Sequence, residues 1–268
     1  MLSANLVTAF GFVFTFWFVV GAFIYVALIR QINARRSTSS DEEPASFGAP
    51  EAILAGFLVV WFILLAVTAV LHPTPELSDH GVIGSLLMTV GLVAGIVGLL
   101  RVRGRNVETL AGLSGITITR AVATGVILLV FAYPLVSLGD LIAQQFLHGS
   151  SKQSIVELFN SSQTLRERVV IIIFAVTIAP AAEEFIFRFF IYGVLKRYFG
   201  FAFALVASAL LFAAVHAHVP SLAALFILGS CFTIAYEWSG SLLVSMTMHS
   251  LFNALTLVIL AFPEIFRQ

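Results

Sequence analysis

The sequence predicts an all-α protein: a polytopic membrane helical bundle of about eight transmembrane helices. Two observations carry this, and a third limits the partners. The 268 residues are 60% hydrophobic and only 10% charged, whereas a soluble domain has about 45–50% apolar and about 25% charged residues. So few charges cannot cover a water-facing surface. The apolar residues also fall into runs of bilayer-spanning length, roughly 20 residues each. Finally, the 14 basic and 14 acidic residues balance to a net charge of zero, which gives no electrostatic case for nucleic acid as a partner.

In chain order, the candidate spans are 6–29, 53–71, 82–100, 121–147, 169–197, 201–217, 221–237 and 241–262. The first basic residue, Arg30, follows an apolar run of more than twenty residues. A cleavable signal peptide carries its basic region in front, so the first run reads as a span. Phe10, Phe12, Phe14, Phe16 and Phe18 would scatter rings around a helix, which suits lipid contact. In the third span, Gly91 and Gly95 form a small-xxx-small face expected to receive a neighbouring helix. Pro134 interrupts the fourth span, and Asp140 lies near its end. The lone Cys231 reads as a small buried hydrophobe.

Two connections are long. Residues 33–51 lack an apolar face and read as a flexible cytoplasmic linker. Residues 148–168 include Ile155–Phe159 (IVELF), a candidate interfacial helix, and a glycosylation sequon at Asn160-Ser161-Ser162. The chain divides into N-terminal transmembrane helices (1–150) and a core carrying the chemistry (151–268), within one membrane domain. Basic residues follow the first span (Arg30, Arg35, Arg36), the third (Arg101, Arg103, Arg105, Arg120) and the fifth (Lys196, Arg197). The positive-inside rule makes that side cytoplasmic, with both termini outside. A multi-pass protein of the cell membrane is expected, with lipid around it.

Ionisable groups at membrane depth are rare and usually functional. The C-terminal half holds Glu183, Glu184, Arg188, His216, Glu237 and His249, joined by the amide of Asn253. Glu184 and Arg188 are four apart and share a helix face; alone they read as a structural ion pair. Glu183 is rotated by about 100° from Glu184 and is free to point elsewhere. At about 1.5 Å per residue, Glu183 lies about 20 Å in from Lys196, His216 about 24 Å from Gly200, and His249 and Asn253 about 13 and 20 Å from Gly240. All four can therefore meet inside the apolar layer.

A carboxylate, two imidazoles and an amide suffice for peptide-bond hydrolysis. A glutamate near apolar walls can act as general base on water, a neutral histidine can share that role or bind a metal, and a second histidine and an asparagine can donate to a developing oxyanion. Alternatively, Glu183, His216 and His249 supply the ligands of a catalytic zinc, with water in the fourth position. Both mechanisms remain open on residue types alone. A non-enzymatic membrane scaffold, regulator or immunity factor is the competing reading. A proton-coupled transporter is weaker, because no inverted repeat is evident.

The motifs are Glu183-Glu184-Phe185-Ile186-Phe187-Arg188 (EExxxR), Phe212-Ala213-Ala214-Val215-His216 (FxxxH) and His249-Ser250-Leu251-Phe252-Asn253 (HxxxN). In this order and on successive spans they resemble the CPBP family of intramembrane proteases, which includes type II CAAX prenyl proteases and bacteriocin-processing proteins and is also called the ABI family. The resemblance covers about residues 169–260. It implies an intramembrane endopeptidase acting on a membrane-associated protein or peptide. It implies a water-activating Glu183 working with His216, a supporting pair Glu184 and Arg188, and His249 with Asn253 for oxyanion stabilisation or metal binding. Phe212 would orient His216. Family members are commonly labelled metalloproteases, and a metal-independent glutamate mechanism has also been put forward. No HExxH, no GxSG and no pair of intramembrane aspartates points to another intramembrane protease class.

Overall fold

The computed structural model describes residues 4–38, 47–72, 79–146 and 164–261, and among them every regular element is helical. Five helices come first: α1 (Ala4–Thr38), α2 (Ala49–Leu71), α3 (Asp79–Val102), the short α4 (Val107–Leu110) and α5 (Ile118–Phe146). The run Leu165–Val215 then covers 51 residues, about 75 Å of helix at 1.5 Å per residue and more than two bilayer thicknesses. Gly200 divides it, with φ 80° and ψ 172°, a conformation only glycine adopts freely. We label residues 165–199 α6 and residues 201–215 α7. A single 3₁₀ turn, Val219–Ser221, leads into α8 (Leu222–Ser239), and α9 is Leu242–Ala261. Among the described residues, seven runs are long and apolar enough to cross a membrane. The fifth is broken at Gly200 and is long enough for two crossings. The protein is a multi-pass membrane protein.

The basic ends of the helices gather at one end of the bundle. Arg35 donates to the Trp238 carbonyl (2.9 Å), and the Trp238 indole donates to Gln31 (2.9 Å). Lys196 pairs with Glu237 at 2.8 Å. The Ser241–Leu242 corner packs on α4, where Leu242 N–H donates to the Ala111 carbonyl (3.0 Å). Glu51, fully buried, accepts from Gly48 N–H (2.7 Å) and from Arg103 Nε (2.6 Å), tying the start of α2 to the end of α3. The positive-inside rule predicts that such an end faces the cytoplasm.

Several expectations are corrected here. The flexible linker does not span 33–51, because α1 runs on to Thr38 and α2 starts at Ala49. Phe47 is buried edge-on against Phe189 and Phe190, over Gly193. Residues 39–46 lie outside the described residues, as do the candidate interfacial helix and the sequon. The glycine face of α3 receives no helix: nothing among the described residues comes within 4 Å of a Cβ built at Gly91 or Gly95. Ile96 and Leu100 turn into the core instead. Close approach is made elsewhere, where Gly21 meets the Phe131 carbonyl and Gly125 meets Thr247. Pro134 does not break α5, which continues through it. Spanning helices tolerate proline where neighbours re-satisfy the freed backbone. Phe10, Phe12 and Phe16 are largely exposed on the bundle surface, as lipid contact requires. Glu237 joins Lys196 and Tyr192 at the basic end and takes no part in the cluster around Glu183.

Candidate active site

The site is built by α6, α7 and α9, with α8 closing it from behind. On α6, Glu183 and Glu184 lie between two π-helical stretches, Phe174–Ile178 and Phe185–Tyr192. Such bulges insert a residue into the helix and rotate everything beyond it. The second stretch is buried on all sides, which is why the FIFRFFIY run is apolar at every position but Arg188 and the Tyr192 hydroxyl.

The two adjacent glutamates have different surroundings. Glu184 is fully buried and pairs with Arg188 at 3.0 Å. The Arg188 guanidinium lies 4.1 Å from the centre of the Phe212 ring and 5.2 Å from that of Phe232, a cation–π arrangement that matters most away from water. Its Nη2 also reaches toward the Gly229 carbonyl at 3.4 Å. A Cβ at residue 229 would stand 3.0 Å from Phe212 and 3.3 Å from Arg188, so α8 needs glycine there to let the guanidinium in.

Glu184 Oε1 accepts from His249 Nδ1 at 2.9 Å, and His216 Nδ1 stands 2.7 Å from the Phe212 carbonyl. A carbonyl oxygen only accepts, so Nδ1 of His216 carries the proton. In the neutral ring its Nε2 is then a lone pair. Both Nε2 atoms point at the other glutamate: Glu183 Oε2 lies 3.9 Å from His216 Nε2 and 3.9 Å from His249 Nε2. This oxygen is buried and has no hydrogen-bond partner. The chain reverses directly behind His216, with Ala217 in the left-handed region at φ 49°.

Glu183, His216 and His249 border a cavity of about 160 Å3 whose other walls are largely apolar, including Phe174, Leu225, Leu228 and Leu257. Asn253 also lines it and donates to the Ala175 carbonyl at 2.8 Å. Thus Glu183, His216, His249 and Asn253 share one cavity, and Glu184 with Arg188 stands behind it.

The family-model match concerns this same part of the chain. Residues 165–255 match the family model described as type II CAAX prenyl endopeptidase Rce1-like. Over these residues the chain is similar to that family, in line with the CPBP resemblance of its motifs. A curated relative, the membrane-embedded CAAX protease MroQ of Staphylococcus aureus (strain USA300), is 31% identical over 99 residues, which are 35% of this chain and 40% of that protein. The match therefore spans less than half the length of that relative. No solved structure matches the chain. All three CPBP motifs lie inside the matched segment, and α1–α5 lie outside it.

Sequence reasoning missed Gly229 and Phe232. Neither carries a chemical group that flags it, and both act through a side chain on another helix. The donor chemistry of Glu183, His216 and His249 suits zinc, but the spacing does not. Bonds of about 2.0–2.2 Å set tetrahedral ligand atoms roughly 3.3–3.6 Å apart, less than the 3.9 Å found on both sides of Glu183. Among the described residues no group of three or more His, Cys, Asp or Glu side chains is placed to hold a metal ion.

Proposed function

We propose that the protein is an intramembrane endopeptidase that hydrolyses a peptide bond of a membrane-associated protein or peptide, using water activated by Glu183. The observation that carries this is the convergence of a partnerless, buried carboxylate oxygen with two imidazole Nε2 atoms on the wall of an apolar cavity. Glu184 Oε2 is likewise buried without a hydrogen-bond partner, but Glu184 does not line the cavity, so it is the place of the Glu183 oxygen between two Nε2 atoms at the cavity wall that supports the reading.

A gap of 3.9 Å on each side suits a water that donates to Glu183 and to one imidazole. Glu183 takes a proton from this water as its oxygen attacks the scissile carbonyl carbon. His216, with Nδ1–H committed to the Phe212 carbonyl, offers Nε2 as the second acceptor that orients the water. His249 donates Nδ1–H to Glu184, and when it carries a second proton its Nε2–H stabilises the oxyanion. Collapse of the tetrahedral intermediate breaks the C–N bond, and the proton held on Glu183 passes to the leaving amine. Arg188 holds Glu184 in place. No step is routed through a metal, because the three candidate ligands do not fit one at this spacing.

The test uses purified protein in liposomes with a membrane-anchored peptide library. Cleavage should occur, and His216→Ala and His249→Ala should each lower turnover by about 10²-fold or more without loss of folded protein. Turnover that survives both substitutions sinks the reading. A chelator arm with zinc add-back tests the expected zinc, and full activity after chelation argues for water activation by Glu183 alone.

A further inference from the structure

The Asn253 amide faces backbone, and the reason lies in α6. In the π-helical stretch Phe174–Ile178, the Ala179 N–H bonds back to the Phe174 carbonyl, five residues earlier. That bond takes the donor that an α-helix would give to Ala175. A continued π pattern would give the Ala175 carbonyl the N–H of residue 180, which is Pro180 and has none. Ala175 is buried at 5% exposure, and a carbonyl unpaired in apolar surroundings is costly. Its partner is Asn253 Nδ2, 2.8 Å away.

We propose that Asn253 is a positioning residue: it caps the carbonyl that the bulge and Pro180 leave unpaired at Ala175, and so holds the bulge that aims Glu183. This rests on the peptidase reading for its effect on turnover, and on the hydrogen-bonding pattern alone for its effect on stability. Ala175 lies eight residues before Glu183 on α6, and Asn253 lies one turn beyond His249 on α9. Without the cap, the carbonyl recovers its donor by reverting to an ordinary α turn with Ala179. Removing the inserted residue turns the helix on one side of the bulge relative to the other by about 100°. Glu183 then leaves the two Nε2 atoms. An Asn that served only as an oxyanion donor would not depend on whether residue 180 has an N–H.

The experiment is a double-mutant cycle on the full-length protein in liposomes, with Asn253→Ala, Pro180→Ala and both together. Pro180→Ala returns an N–H to residue 180 that can serve the Ala175 carbonyl in place of the amide. In the wild-type background, Asn253→Ala is expected to lower kcat at least tenfold with KM little changed, and to lower the thermal midpoint. In the Pro180→Ala background both losses should shrink to near zero. Equal losses in the two backgrounds overturn the proposal and return Asn253 to a role on the substrate. If the wild type shows no cleavage, the peptidase reading fails by itself. The thermal midpoints still decide the cap: coupling between the two positions supports it, and additivity refutes it.

Discussion

Glu183 and Glu184 are neighbours in sequence with different surroundings, and the difference lies in what each oxygen touches. Glu184 Oε1 is held by Arg188 and His249 away from the cavity, whereas Glu183 Oε2 stands between two imidazoles beside it. Removing one member of a buried ion pair strands the other charge and costs about 3–5 kcal/mol. Glu184→Gln should therefore lower the thermal midpoint in detergent sharply. Glu183→Gln, which strands no cation, should leave the midpoint near wild type. Equal losses from the two substitutions would contradict the division of labour. This division was legible in the EExxxR spacing, because the i, i+4 rule pairs only the second glutamate with the arginine.

At the scale of elements, the site depends on irregular stretches that a spacing argument does not reveal. The FxxxH and HxxxN motifs assume regular turns, and α7 and α9 supply them. In α6, however, two bulges and Pro180 decide where the glutamates point, and their effect rests on hydrogen bonds to other helices. The Gly91/Gly95 face was misleading for a related reason: small residues permit close approach, but only the packing of the other helices decides whether it happens. Gly229 is the converse case, a glycine with no motif that a guanidinium requires. Gly229→Ala should push its Cβ against Phe212 and Arg188. Overpacking of this kind costs about 1–3 kcal/mol, and turnover should fall with the thermal midpoint. An unchanged midpoint would show that Phe212 moves aside freely.

For the whole molecule, the multi-pass helical architecture was legible from hydropathy, and Gly200 breaks a 51-residue helical run that is long enough to cross twice. The N-terminal helices carried no readable chemistry, yet they pack into the same body: Tyr25 of α1 donates to the Leu128 carbonyl of α5 (3.0 Å), and Gly125 of α5 lets α9 come close. The clustered basic ends predict a fixed orientation. Ser37→Cys, in the exposed last turn of α1, should react with a membrane-impermeant thiol reagent only after cells are permeabilised. The buried Cys231 leaves the background silent. Labelling of intact cells would invert the topology.

All of these scales meet at the partnerless oxygen of Glu183. The most direct measurement is the turnover of a membrane-anchored peptide by liposome-reconstituted protein, with wild type and Glu183→Gln compared at equal folded concentration. The amide retains the shape but cannot accept the proton from water, so the rate should fall by roughly 10²–10⁴-fold while the thermal midpoint holds. Cleavage by the Glu183→Gln protein at the wild-type rate would contradict the account.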